Sequence, residues 1–320
     1  MNNKFKNYFF IMMAAGLLPT IALAQTTVTF TNAAATGQTG TTQAQVTAAY
    51  DNTTLDDAVT INTQGIQEWT IPATAVYTIE VWGAEGGGPP TNYTTHIPGK
   101  GARMKGDFTL TQGTVLKILV GQAGLIGSHD GSGGGGTFVA LSNNTALIVA
   151  GGGGGASYGS SDYNGMDAVT TTSGTSGTGH TNSTGGSNGN GGVANQYAGN
   201  GAGFTGDGGG GTSTTSYGSV AKSFTNGGVG GDGYNNFDGS FGGGGGSHGG
   251  GWGGGGGGGY SGGAGAGYYN KGGGGGGSYN SSSVNVTSSA GAREGHGQVV
   301  ITYCIGFCFE SAVVVANNDY

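Results

Sequence analysis

Charge is scarce in this 320-residue chain. Charged side chains make up 8% of it, with nine Lys and Arg against 16 Asp and Glu and a net charge of −7. So few cations, outnumbered by acids, exclude the basic footprint of nucleic-acid binding. So thin a charge density also excludes a polyelectrolyte tail. Proline occurs five times, too seldom for collagen, which also needs Gly at every third position. Cysteine occurs twice, at Cys304 and Cys308, which excludes a disulfide-dense scaffold and leaves a zinc site short of ligands. No apolar run reaches the roughly 20 residues of a membrane-spanning helix, so no transmembrane anchor is expected.

Glycine is what the chain has in quantity: 79 residues, against a usual share of roughly 7%. Each interior Gly costs a helix about 1 kcal/mol relative to Ala, which disfavours a helical bundle. Residues 1–24 carry the three features of a secretory signal peptide. Lys4 and Lys6 make a basic start, 8–18 an apolar stretch, and Ala22-Leu23-Ala24 a small-x-small cleavage site. Cleavage before Gln25 removes both lysines and takes the net charge from −7 to −9. The expected location is secreted, extracellular or on the outer cell surface.

Composition divides the remainder. Residues 25–65 read as an N-terminal β/turn segment, with a short strand at 28–30 and no helical period. Residues 66–150 carry strand signals and read as the first part of a β domain. Tyr77, Ile79 and Val81 alternate with Thr78, Glu80 and Trp82. Residues 108–111 and 115–120 read as a hairpin across Gln112-Gly113, with Leu116, Ile118 and Val120 facing one way and Lys117 the other. A second hairpin joins 138–141 to 146–150 across Asn143-Asn144. The unbroken run Leu147, Ile148, Val149 predicts a central strand. Residues 278–303 supply closing strands, ending on Val299, Ile301 and Tyr303. The tail, 304–320, holds the Cys pair. Its spacing fits a small disulfide loop between Cys304 and Cys308; free thiols, or half of a pattern completed elsewhere, are the alternatives.

Residues 151–277 stand apart, with Gly at 55 of 127 positions. A connection of that length is no ordinary loop. Oligoglycine has no side chain to bury, and ordering it costs roughly 1–2 kcal/mol per residue. Its backbone is the available stabiliser. In polyproline-II-type helices, with about three residues per turn, N–H and C=O groups point outward, and only Gly lets such helices approach on every side. At about 1 kcal/mol net per hydrogen bond, such a lattice forms as a whole or not at all. The competing reading is a flexible linker. Aromatics recurring through the segment, and strands on both sides that look like parts of one sheet domain, argue against the linker.

Four stretches carry a resemblance. They are Tyr77-Thr-Ile-Glu-Val-Trp-Gly-Ala-Glu-Gly-Gly-Gly88, Leu147-Ile-Val-Ala-Gly-Gly-Gly-Gly-Gly155, Trp252-Gly-Gly-Gly-Gly-Gly-Gly-Gly-Tyr-Ser-Gly-Gly263 and Glu294-Gly-His-Gly-Gln-Val-Val-Ile301. Across 66–155 and 242–303 the chain resembles the glycine-rich module of the anaplastic lymphoma kinase and leukocyte tyrosine kinase receptors, a module also seen in bacterial secreted proteins. The resemblance implies a mainly β fold: a tumour-necrosis-factor-like, jelly-roll β-sandwich with an inserted bundle of polyglycine-II-type helices. A kinase domain, a transmembrane helix and the Cys-rich positions of the receptor module are missing here. Signalling therefore does not carry over, and no ligand-contacting residue is transferred.

Candidate chemistry is sparse. At this Gly density G-x-G-x-x-G recurs by chance, and Gly99-Lys100-Gly101 lacks the Ser or Thr of a phosphate loop, so no cofactor is expected. His96, His129, His180, His248 and His296 are scattered, and no metal site is expected. His129-Asp130 is the nearest approach to an acid–base pair and reads as two loop residues. His296 reads as a turn residue that hydrogen-bonds the backbone. Asp232, Asn235, Asn236 and Asp238 offer calcium-type oxygens without a calcium-loop spacing, and read as an Asx-rich turn. Lys100, Arg103 and Lys105 form the basic cluster: a solvated strand edge, or a contact for an anionic glycan or surface. Tyr234, Tyr260, Tyr268 and Tyr269 are the candidate contact aromatics, amphipathic rings on a rigid scaffold. Trp252 is expected to pack between glycine body and sandwich. The pattern predicts no enzyme. It predicts a surface binding or adhesion module for an extracellular protein or glycan. A self-associating matrix protein joined through glycine faces or sheet edges is the alternative, and a hydrolase with an unrecognised site a weaker one.

Overall fold

A computed structural model describes residues 25–89, 96–158, 163–178, 183–193, 197–209, 219–248, 253–267 and 271–305. Within them lie strands β1 (Gln25–Phe30), β2 (Val59–Thr63), β3 (Ile66–Thr70), β4 (Ala75–Trp82), β5 (Gly101–Leu110), β6 (Val115–Leu119), β7 (Thr137–Leu141), β8 (Ala146–Ala150), β9 (Tyr279–Asn280), β10 (Thr287–Arg293) and β11 (Gln298–Cys304), one α-helix, α1 (Gln43–Tyr50), and short 3-10 turns at Phe224–Asn226 and Tyr234–Asn236. The signal-peptide reading, Cys308, Trp252, Tyr268 and Tyr269 lie outside the described residues. Five strands form one sheet in the order β1-β11-β4-β5-β10, and six the other in the order β2-β3-β6-β7-β8-β9. Every pairing is antiparallel. The chain is mainly β, a β-sandwich.

Alternation builds the core. Tyr77, Ile79 and Val81 of β4 stand opposite Tyr303, Ile301 and Val299 of β11. With Val28, Phe30 and Met104 they face Trp69, Leu116, Ile118, Val139 and Ile148 of the other sheet. Phe30, Trp69, Tyr77 and Tyr303 meet in edge-on or tilted ring contacts between 4.8 and 6.4 Å, geometries that aromatic quadrupoles favour.

Two readings of the sequence need correction. Residues 108–111 and 115–120 are not a hairpin: β5 pairs with β4 and β10, whereas β6 pairs with β3 and β7. Gln112-Gly113, with Gly113 at φ +85°, instead carries the chain from one sheet to the other. Residues 25–65 also contain a helix. Thr42 accepts from Gln45 N while the Gln45 side chain accepts from Thr42 N at 2.9 Å, a capping box. α1 then buries Val46 and Tyr50, four apart on one face. The 138–141/146–150 hairpin is present as β7 and β8, with Asn144 in the left-handed turn conformation. β8 is apolar throughout because both its faces are covered.

The second face of the six-stranded sheet seats the glycine segment. Ile66, Leu119, Phe138, Ala140 and Val149 point away from the sandwich core and pack with Phe204, Phe224 and Phe241. Phe138 and Phe204 both stack on Phe224, at 5.3 and 4.9 Å. The segment also leaves and re-enters through paired strands, since Val149 of β8 lies opposite Tyr279 of β9.

Above this seat the main chain bonds to itself. Gly254 and Gly257 donate to Lys271 O and Gly274 O, Gly255 and Gly258 to Gly131 O and Gly134 O, and Gly256 and Gly259 to Gly199 O and Ala202 O, at 2.8–3.2 Å. Every third amide therefore meets the same neighbouring segment. Run 151–155 repeats the pattern: Gly152 and Gly155 donate to Gly258 O and Gly255 O and accept from Gly276 and Gly273. Segments 83–88, 97–101 and 121–136 join the same body, as in the bonds of Gly153 N to Ala84 O, Gly99 N to Gly154 O and Gly134 N to Gly153 O. A Cβ on Gly257 would lie 2.1 Å from Gly152 O, and one on Gly254 2.0 Å from Gly155 O. The spacing between segments is thus one that only Gly permits there.

Candidate functional site

Several described glycine segments end side by side at the end of the body away from the sandwich. Gly127 N donates to Gly88 O, Gly131 N to Ala156 O, Gly273 N to Gly155 O and Ser157 N to Tyr163 O. These bonds set the described residues 88–89, 125–131, 156–158, 163–166 and 271–273 level with one another. Larger side chains stand exposed at this end. Ile126 is 64% exposed, Ile97 57%, Met166 39% and Tyr158 38%. Two grooves flank the Ile97-Pro98 ridge. One, of about 420 Å³, is lined by Asn164, Met166 and Asp167; the other, of about 240 Å³, by Glu85, His96 and Ile126. Ring contacts lie at the same end: His96 meets Tyr163 edge-on at 6.0 Å, Lys271 Nζ lies 5.3 Å from the Tyr163 ring centre, and His129 meets Tyr158 edge-on at 5.4 Å.

The predicted site residues fall on different parts of the molecule. Tyr234 is at this end, stacked at 4.8 Å on His248. Tyr260 is at the opposite end, partly buried in the seat and stacked at 4.5 Å on Tyr279; it serves packing. Cys304 is disulfide-bonded. Ile97, Ile126 and Met166 were not singled out from sequence, because nothing in an isolated aliphatic residue tells that its segment ends in solvent.

His129 and Asp130 each have partners elsewhere. Asp130 is fully buried, and its carboxylate accepts the Ser157 hydroxyl, while His129 turns to Ser128 and Tyr158. The Asx cluster holds the chain together: Asp232 accepts from Gln38, Ser219 N and Ser219 Oγ, and Asp238 from Gly233 N at 2.9 Å. Asn235 and Asn236 take the left-handed conformation of a turn. Burial holds the His248 imidazole below its usual range, with Asp130 opposing.

The Glu294-Gly-His-Gly turn ties the sandwich to the base of the glycine body. His296 Nδ1 accepts from Ala123 N at 3.0 Å, which fixes the neutral ring with its proton on Nε2. Gly295 N donates to Glu85 Oε2 and Glu85 N to Gly295 O, both at 2.9 Å. Gly295 has φ +72°. Burial, reinforced by Arg293, pushes the His296 imidazole down. Burial likewise pushes the Glu85 carboxyl up, with the Gly295 amide opposing. Lys100 closes the cluster with an ion pair to Glu294 at 2.7 Å.

A stretch of 99 residues, 30% of the chain, is 33% identical to the leukocyte tyrosine kinase receptor of Mus musculus and covers 11% of that receptor. The chain thus spans a small part of the relative it matches. No family model matches it.

Proposed function

We propose that the chain is an exported, non-enzymatic surface binding or adhesion module. In this reading the sandwich is of the tumour-necrosis-factor-like, jelly-roll kind, and the glycine body is a bundle of polyglycine-II-type helices. The three-residue repeat of its hydrogen bonds supports that assignment. The partner is an extracellular protein or glycan, met at the far end of the bundle. One observation carries the reading: apolar and aromatic side chains stand exposed at the ends of described glycine segments, on a scaffold whose backbone segments are bonded to one another. A rigid display loses little entropy on binding. The partial likeness to a receptor agrees with a recognition role and transfers neither kinase activity nor ligand.

The test is retention of the purified chain on immobilised matrix proteins and glycans. At least one surface should retain it, and combining Tyr158→Ala with Ile126→Ser should weaken retention by about tenfold or more while leaving the unfolding midpoint in place. A folded protein retained nowhere, or a variant that binds as the parent does, overturns the proposal. Self-association is the second reading. It is supported by edge strand β10, which is uncharged until Arg293 and preceded by exposed Val284 and Val286. A stable monomer in dilute sedimentation removes it.

A further inference from the structure

The basic cluster is put to no use at the far end, and its three members have separate fates. Lys100 pairs with Glu294 at 2.7 Å. Arg103 pairs with Glu80, its guanidinium 6.0 Å from the centre of the Trp82 ring. Lys105 makes no ion pair among the described residues. It stands on the outward face of the five-stranded sheet, with Glu80 of β4 opposite on one side and Thr287 of β10 on the other.

Register surrounds Lys105 with polar groups. Thr27, Thr302 and Thr78 form one row across β1, β11 and β4, the first two hydroxyls 3.2 Å apart. The row ends on Asp107, which accepts from Thr78 Oγ1 at 2.7 Å and from Asn285 Nδ2 at 3.1 Å. Thr27, Thr78, Thr302, Asn285 and Lys105, with Gln25 and Glu80, line a groove of about 370 Å³ on the outward face. Its lining is hydroxyls, carboxamides, a carboxylate already bonded by Arg103, and one ammonium.

We infer that this groove binds a short oligosaccharide bearing a carboxylate, a uronic-acid sugar, with Lys105 as the anion's partner. Hydroxyls and carboxamides both donate and accept, as sugar hydroxyls require, and threonine methyls offer apolar edges to the C–H faces of a ring. Lys is a point charge, suited to one carboxylate. Arg103, whose Nε is paired with Glu80, is not among the residues lining the groove, so no guanidinium fork is offered there to a phosphate or sulfate. A chain of net charge −7 repels a dense polyanion at long range, which favours a short ligand with a single charge in the groove. The volume sits at the small end of ligand sites, which span roughly 300–1,000 Å³. The groove lies on the sandwich, apart from the far end of the glycine body, so the inference goes beyond the function proposed above.

Titration of the full chain with an aldotetraouronic acid, a neutral xylotriose bearing one glucuronate, and with its methyl ester, tests it. The acid should bind, and the ester at least about tenfold more weakly. Lys105→Met should cost about tenfold or more in affinity for the acid, and Lys105→Arg much less. Thr302→Val, which keeps shape and charge, should cost about threefold or more. All three substitutions sit on a solvent-facing sheet surface, and an unchanged circular dichroism spectrum confirms folding. No binding of the acid, equal binding of the ester, or indifference to Lys105→Met overturns the inference. Tyr158→Ala should leave this affinity unchanged; a loss there places the sugar at the far end and equally overturns it.

Discussion

Two residues show how differently a small change acts here. Gly257 has a left neighbour, a right neighbour and a carbonyl where its Cβ would be, Gly152 O at 2.1 Å. That obstacle is backbone, held by its own hydrogen bonds, so it does not rotate aside. Gly257→Ala should therefore cost about 3 kcal/mol. Gly113→Ala meets nothing within 4 Å and only the strain of φ +85°, about 1–2 kcal/mol. Urea unfolding midpoints compare the two directly, and equal losses would mean that the close approach is not what glycine provides. His296 supplies a pH dependence. Its folded-state pKa lies below the ordinary 6.5 because of burial first and Arg293 second. Between the two values the unfolded chain binds more protons, so stability from this residue is complete above about 6.5 and is lost progressively as pH falls from there through the folded-state value. Glu85 acts in the opposite sense at lower pH: its raised pKa makes the folded state the better proton acceptor as pH falls toward 4.5. His296→Asn keeps an acceptor for Ala123 N and removes the titration. The variant's unfolding midpoint should stay flatter than the parent's between pH 7.5 and 5.5, and parallel profiles would dismiss the role.

Among elements, legibility followed how local the cause was. β4, β7, β8 and β11 were readable because their alternation, or its absence, is imposed by the faces they present, and each face is written in a few consecutive residues. The pairing of β5 was not readable. Gln112-Gly113 looks the same whether the chain folds back on its own sheet or crosses to the other. What decides is the match of β5 to β4, Tyr77 opposite Phe108 and Val81 opposite Met104, a long-range fact. α1 was missed because a single capping box and two buried positions make a weak period in a Thr- and Ala-rich stretch. The site divided in the same way. The role of His296 was legible, since a strand entry bounded by Gly on both sides suits a backbone-bonding ring. The place of Tyr260 in the seat was not legible, because its partners, Tyr279 and Phe204, come from distant segments. Ile97 and Ile126 carried no mark, because their exposure depends on where neighbouring glycine segments stop.

At the scale of the whole molecule, the question is what makes a quarter-glycine chain hold a shape. A conventional core accounts for the sandwich and for the seat of Phe204, Phe224 and Phe241 on the six-stranded sheet. Beyond the seat there is little to bury, and order rests on amides. A single bond of about 1 kcal/mol net does not offset roughly 1–2 kcal/mol per ordered residue. Buried serines add to the balance by bonding carbonyls inside the body, as Ser240 does to Gly133 O at 2.7 Å and Ser278 to Val169 O at 2.6 Å. No segment is stable alone, because each run takes its partners from several others at intervals of three residues. The body should consequently open as one unit. In amide hydrogen exchange, 254–259 and 273–277 should be protected together, with rates near those of β7 and β8 and a common dependence on denaturant. Gly257→Ala should raise the rate in both runs at once, although it alters only one. Exchange at the rate of a free chain across both runs, with β7 and β8 still protected, would return the segment to a linker and remove the rigid display on which the binding proposal stands.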